Sequence, residues 1–487
     1  MPDGPQTDEE PATGERLTRT RWSVGLAAFV IGMNVTMMNV AVADLRASFP
    51  DARFTTIGWV VSAYTIVFGA VLVPAGRLAD RIGRRTVYMA GLAAFATGSV
   101  IAGCSPVLWL LVIGRVAQGV GAACLAPSAM ALLLDATPAR ERAAATSFYA
   151  GAAALGTASG PSLGALLIDA SSWRAAFFLG LPVVLVAYLL GQRSLPRSAP
   201  LRGGALPDLL GSVLVMAAVV GVSFGIGQGR PWGWTHPGVV GGFVAAAVLV
   251  PLFVQRCRTH PSPVMAVGLF RQRSFAGANG AALMVGTAIG GASLAGVLFL
   301  RDVWGYSLVG AGFGALPASL AAIAVARPVG RLGVRFGEVA VGVPGATGIA
   351  LSVLWYRALV DADANYWLGY FPGNLLMGVG VAAVLPMLAT AVVRGLGSDQ
   401  FSLASATNRT FLQLGNGIGI AAVVAFIGAT TGPEALADYR QAWLALGVVA
   451  LVGAAAVAAI GRAREAEPVA APSSTSPLPS PAPEPSA

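Results

Sequence analysis

Pro74-Ala75-Gly76-Arg77-Leu78-Ala79-Asp80-Arg81-Ile82-Gly83-Arg84-Arg85 sets four arginines and one aspartate between two long apolar runs. About 250 residues later, Pro328-Val329-Gly330-Arg331-Leu332-Gly333-Val334-Arg335-Phe336-Gly337 repeats the proline, the glycines, two arginines and the leucine at the same spacing, again between apolar runs. A chain that repeats its most polar feature in the same apolar context reads as two homologous halves. The acid does not repeat, because Val334 stands where Asp80 stood.

Working outward, the 487 residues are 56% hydrophobic and 11% charged, against roughly 25% charged in a soluble domain. The fold class this predicts is an all-α integral membrane protein. Apolar stretches of about 20 residues recur, each able to cross a hydrocarbon core of about 30 Å as a helix. The first runs from Trp22 to Ala43 and ends in Ala41-Val42-Ala43, which imitates a signal-peptidase site. Its length, its acid-rich leader and the spans behind it argue for a retained helix. Further spans are expected at 55–76, 86–104, 107–133, 144–168 and 174–191, then 207–228 and 237–255, then 274–300, 307–327, 338–358, 367–393, 402–429 and 440–461. That makes fourteen transmembrane helices: a six-helix half over 22–191, a linker at 192–206, two additional central helices over 207–255, a loop at 256–273 and a second six-helix half over 274–461. Residues 1–21 and the Pro/Ser-rich 462–487 read as disordered cytoplasmic tails.

Charge distribution sets the orientation. All 31 basic residues are arginine, and with the N-terminus in the cytoplasm 22 of them fall inside. Arg46, Arg53, Arg174, Arg230, Arg301, Arg357 and Arg440 fall outside, and two fall within spans. The bias places both termini in the cytoplasm of a multi-pass plasma-membrane protein. The same scatter of arginines through short turns leaves no groove-lining patch for nucleic acid. Cys104, Cys124 and Cys257 are too dispersed for a disulfide framework, and His236 and His260 lie on opposite sides and make no metal pair.

Several intramembrane residues stand out. Asp80 at a helix end can bond to a neighbouring arginine or to a helix N-terminus of the other half, which makes Gly76, Asp80, Arg81, Gly83 and Arg84 a candidate conformational latch. The plainer reading of its arginines is a positive-inside anchor. Arg115, eight residues into an apolar run, should face the bundle interior with Gln118 beside it, either in function or as structural hydrogen bonding. Gly156, Gly160 and Gly164 form a smooth ridge next to Pro161. Ser402, Ser405, Arg409, Gln413 and Asn416 share one helical face, either lining a cavity or forming an interhelical seam. Asn34, Met37, Tyr64, Tyr149 and Asn279 join Gln118, Arg409, Gln413 and Asn416 as cavity candidates; each alone also suits ordinary packing.

The opening stretch resembles motif A of the major facilitator superfamily, and the fourteen-span layout resembles its drug/proton antiporter branch. Leu111-Val112-Ile113-Gly114-Arg115-Val116-Ala117-Gln118-Gly119-Val120-Gly121 resembles the family's motif B. Gly156 to Gly164, with Gly160-Pro161-Ser162-Leu163-Gly164, resembles the antiporter motif C. Trp173-Arg174, Phe177 and Pro182 match a tryptophan-arginine signature. The resemblance covers about residues 22–461 and implies a major facilitator fold, proton handling near Arg115, and an interface at Gly156, Gly160, Pro161 and Gly164 that governs leak and direction. Two departures matter. Asn34 takes the place of an aspartate, and Arg409 and Leu412 replace the family's Asn and Arg. No acid lies near the middle of any span, so Asp302, beside Arg301 at an outer end, becomes the first proton-site candidate.

These readings predict a monomeric exporter of small organic molecules, drugs or antibiotics, working by alternating access in exchange for protons. The alternatives are an uncoupled facilitator or an exporter of an endogenous metabolite or amino acid. A membrane-embedded enzyme would need a polar mid-span cluster, and none is present. No cofactor is expected, and no phosphate-binding loop is present to serve an ATP motor.

Overall fold

The computed structural model describes residues 14–196, 206–397, 400–428 and 431–461. The expected tails at 1–13 and 462–487, and the linker over 197–205, lie outside the described residues. The described chain folds into α1 (Gly14–Ser48), α2 (Phe54–Ile82), α3 (Arg84–Gly103), α4 (Leu108–Ala136), α5 (Arg142–Ala170), α6 (Trp173–Ser194), α7 (Leu209–Trp232), α8 (Pro237–Thr259), α9 (Arg273–Asp302), α10 (Leu308–Gly314), α11 (Leu316–Phe336), α12 (Glu338–Leu359), α13 (Phe371–Ala391), α14 (Phe401–Ile427) and α15 (Leu436–Ala459). A break at Ala315 separates α10 from α11, which together make one crossing, so fourteen units are long and apolar enough to span a bilayer. Among the described residues there is no strand.

The helices outrun the apolar runs that announce them. α1 starts at Gly14, so residues 14–21, expected in the tail, are helical. Their polar side chains are docked: Arg16 and Thr20 donate to the Ser194 carbonyl at 3.1 and 3.3 Å, and Arg21 pairs with Glu141 at 2.8 Å. Hydropathy cannot register contacts of this kind.

The same packing pairs recur in both halves. α1 packs on α5 and α6 as α9 packs on α14 and α15, and α4 packs on α2 and α3 as α13 packs on α11 and α12. The repeated glycines explain themselves at this level. Gly83 and Gly337 end α2 and α11 at φ +103° and +88°, a backbone region that disfavours any side chain. Their amides close the helix ends onto Ala79 and Gly333.

The halves meet along α2–α14, along α1–α9 and between α5 and the α10–α11 span. The α2–α14 seam is tight: Thr410 donates to the Gly69 carbonyl at 2.9 Å, and Gly417 sits against Ile66. α7 lies over that seam, with Gln228 donating to Thr55 at 3.0 Å and Arg230 pairing with Asp438 at 3.0 Å. Among the described residues α8 packs chiefly on α7 and touches a short turn at Val267–Arg271. The additional pair is thus central in sequence and peripheral in space. Below, the near face is the one carrying Gly14 and Gly461, and the far face is its opposite.

Candidate substrate cavity and gates

Between the halves, at mid-height, lies a cavity of about 220 Å³ walled by α1, α2, α4, α5, α9, α13 and α14. Its polar lining includes Thr36, Asn39, Thr65, Tyr149, Thr157, Ser293, Arg409, Gln413 and Asn416, set among apolar groups such as Ile31, Phe68, Ile289 and Ile420. The polar face of α14 supplies three of these groups, Arg409, Gln413 and Asn416. Ser402, Ser405 and Arg409 are exposed, whereas Gln413 and Asn416 are 6% and 9% exposed. Asn416 Nδ2 donates to Gln413 Oε1 at 2.9 Å, and Asn39 Nδ2 donates across the halves to Ser293 Oγ at 2.8 Å. Gln413 Nε2, Asn416 Oδ1 and Asn39 Oδ1 have no protein partner. Leaving such groups unsatisfied costs about 1–3 kcal/mol each, so they point to a wet or ligand-filled space.

Tyr149, Arg409, Gln413 and Asn416 are the sequence candidates that the fold brings to this cavity. The other five belong elsewhere. Asn34, Met37, Tyr64 and Gln118 are 2%, 1%, 0% and 0% exposed, inside the first half. Asn279 is fully buried between α9 and α14, where its Nδ2 donates to the Phe275 carbonyl at 2.8 Å and its Oδ1 faces Asn408. Arg115 organises the first group. It donates to Asn34 Oδ1, to Gln118 Oε1 at 2.9 Å and to the Val60 carbonyl at 2.7 Å, with its guanidinium 4.5 Å from the Tyr64 ring centroid. Gln118 passes the network on to Ser99 at 2.9 Å. A mid-span polar residue must face protein or water, and here protein wins. Asn39, Thr36, Thr157 and Ser293 line the cavity without having been singled out by the sequence pattern; Asn39 follows Asn34 by five residues.

The glycine ridge of α5 faces α1, not the cavity. A Cβ at Gly156 would collide with the Phe29 carbonyl, one at Gly160 with Thr36 Oγ1 and one at Gly164 with Met37 Cγ at 2.7 Å. The neighbouring face of α5 closes onto the other half, where Ser162 donates to the Gly312 carbonyl at 3.3 Å and Gly312 abuts Pro161 and Ala165. This short segment therefore clamps α1 and α10 together.

Above the cavity, two ion pairs cross between the halves at the far face. Arg301 pairs with Asp44 at 2.6 Å, and Arg46 with Asp302 at 3.6 Å, so each half contributes one acid and one base. Tyr439 donates to Asp302 at 3.1 Å. Asp302 is thus part of the far seal and does not line the cavity.

At the near face, the charged knot ties α2 to α3 and α4 of its own half and reaches the loop after α8. Arg84 bonds Asp80 at 3.1 Å and Asp135, at the end of α4, at 2.7 Å. Arg77 bonds Ser262 in the loop after α8, and Gly76 rests on Pro127. The second half repeats the ion pair with its signs exchanged: Glu338, in the place of Arg84, pairs with Arg394 at 2.5 Å beyond α13. Val334, in the place of Asp80, is 91% exposed.

Two equivalent helical halves enclosing a polar mid-membrane cavity, sealed at one face by cross-half contacts, define a carrier of the alternating-access class. The Major Facilitator Superfamily model matches residues 24–327, and this chain belongs to that family. The multidrug resistance protein Stp of Mycobacterium tuberculosis strain H37Rv is 31% identical, covering 87% of this chain and 75% of that one. The methylenomycin A resistance protein of Streptomyces coelicolor is 28% identical over 92% and 94%, and the cephamycin export protein CmcT of Amycolatopsis lactamdurans 30% identical over 87% and 88%. A crystal structure of an autoinhibited peptide transporter of the POT family superposes with a TM-score of 0.67, covering 92% of this chain and 96% of that one; at 14% identity the likeness concerns the fold.

Proposed function

We propose that this protein exports small organic molecules, drugs or antibiotics among them, across the plasma membrane by alternating access, and that it catalyses no reaction. The observation that carries this reading is the mid-membrane cavity with unpartnered polar atoms from both halves. The resistance and export relatives support the substrate class. In this reading the near face is cytoplasmic, as arginine counting requires, the working unit is a monomer, and the far seal marks a state that accepts cargo from inside. Protons are the exchanged ion: protonating Asp302 from outside would free Arg46 and loosen the seal. Arg115 then acts indirectly, by fixing the helices that move. The Asp80–Arg84–Asp135 cluster serves as the inner latch, engaging the other half when the near face closes.

One observation favours a second reading, an uncoupled facilitator: the described cavity lining contains no carboxylate. Inside-out vesicles separate the two. A compound found by screening drug susceptibility in an efflux-deficient host is added to a preformed pH gradient. Substrate-dependent collapse of the gradient supports exchange. Uptake with an unchanged gradient refutes it and leaves the facilitator.

A further inference from the structure

The charge census of the cavity is one-sided. Arg409 is the sole lining residue among those described that carries a full charge; Tyr149 is the other titratable group. No ion-pair partner of Arg409 is found among the described residues, although it sits eight residues inside a membrane helix. Behind the opposite wall lies a second cation, Arg115, held only by neutral partners: Asn34, Gln118, the Val60 carbonyl and the Tyr64 ring. Every described Asp and Glu lies at a helix end or in a connection. Among the described residues the middle of the carrier thus holds two positive charges and no negative one. A cationic cargo would be repelled there, whereas an anion supplies the missing counter-charge.

We propose that the cavity selects amphipathic organic monoanions, carboxylates foremost, with Arg409 as the anion-contacting residue and Gln413 as the second donor. The proposal rests on the export reading above and names its substrate class. Gln413 lies four residues after Arg409 on the same helical face, and its unpartnered Nε2 gives the second donor that a carboxylate needs. Asn39 Oδ1 and Asn416 Oδ1, equally unpartnered, are acceptors for a hydroxyl or N–H elsewhere on the molecule. The apolar walls at Ile31, Phe68 and Ile420 take its hydrophobic body. The volume of about 220 Å³ favours a small molecule of one or two rings. The choice of an anion also gives a role to the missing mid-membrane acid. Negative charge leaving an inside-negative cell runs down the membrane potential, so export gains a driving force with no carboxylate in the pathway.

The test uses the purified full-length protein in lipid nanodiscs and three fluorescent probes of one shape: coumarin-3-carboxylate, its methyl ester and 3-aminomethylcoumarin. The carboxylate should bind at least about tenfold more tightly than the ester or the amine, the scale of a charge-assisted hydrogen bond. Arg409→Gln should erase that preference while melting at the parent's temperature, which reports an intact fold. Arg409→Lys should retain most of the preference. Tighter binding of amine or ester, no carboxylate binding, or carboxylate affinity unchanged in Arg409→Gln would overturn the assignment. Those results leave the export reading standing if inverted vesicles still concentrate a compound from the susceptibility screen. Failure of uptake for every compound removes the export reading, and this proposal with it.

Discussion

Replacing Asp44 and Asp302 together by asparagine should tilt this protein toward opening at the far face. The substitutions keep the shape of the two carboxylates and remove both charge pairs that join the halves there. Side chains of Arg46 and Asp302 are 21% and 7% exposed, and those of Arg301 and Asp44 are 21% and 31% exposed. Exposed pairs are worth about 0–1 kcal/mol, whereas removing one partner of a fully buried pair costs about 3–5. An intermediate value of about 1–2 kcal/mol per pair is appropriate, which changes a conformational ratio roughly 5- to 30-fold. Arg301 and Asp302 are adjacent, so the two effects should not add fully. Spin labels at Ala170→Cys and Ala364→Cys, both at exposed far-face sites, report the opening by electron–electron distance. A second pair at Ala139→Cys and Val334→Cys reports the near face. Native cysteines 104, 124 and 257 are replaced first. The expected outcome is a larger long-distance population at the far face with a matching loss at the near face. Distributions identical to those of the parent would refute the idea that these pairs hold the seal.

Three further outcomes follow from the same contacts. Exchanging the signs of Arg84 and Asp135 (Arg84→Asp with Asp135→Arg) should recover the stability lost in either single variant, about 0.5–1 kcal/mol for so exposed a pair, once Asp80→Val removes the acid that would face the new aspartate, because Glu338 and Arg394 already use that polarity beside Val334; a thermal-shift double-mutant cycle in the Asp80→Val background measures it. Gly160→Leu should destabilise by at least about 1–3 kcal/mol through collision with Thr36 and the Met33 carbonyl, lowering the melting temperature in detergent even where Gly151→Leu, in open space, does not. Arg115→Leu strands the acceptors of Asn34, Gln118 and Val60 and should cost about 3 kcal/mol or more in unfolding, while probe affinity in surviving folded protein changes little because Arg115 does not line the cavity.

Much of this architecture was legible in the residues. Apolar run length gave the spans, and the recurrence of Pro74–Gly83 at Pro328–Gly337 gave the halves; its glycines recur because both helices end on a positive φ. The α14 face was readable from its three- and four-residue spacing, and Arg409, Gln413 and Asn416 of that face do share one cavity wall. Spacing alone could not say which side of a span faces water. Asn34, Tyr64 and Gln118 are as polar and as deep as the residues that line the cavity, yet they surround Arg115 inside one half. The far seal was illegible for another reason: Asp44 and Arg301 are 257 residues apart, and each alone reads as a solvated loop charge. The sign-reversed copy of the Arg84 pair stayed hidden because its partners are 51 residues apart in the first half and 56 in the second.

The most direct test of the account is accumulation in inside-out vesicles of a compound identified by the susceptibility screen, comparing the parent with Asn416→Leu at equal membrane abundance. Asn416 lines the cavity and leaves its Oδ1 unpartnered there. The account expects the parent to concentrate the compound and the variant to lose most of that uptake while melting at the parent's temperature. Undiminished uptake by the variant would place the transport path elsewhere and contradict it.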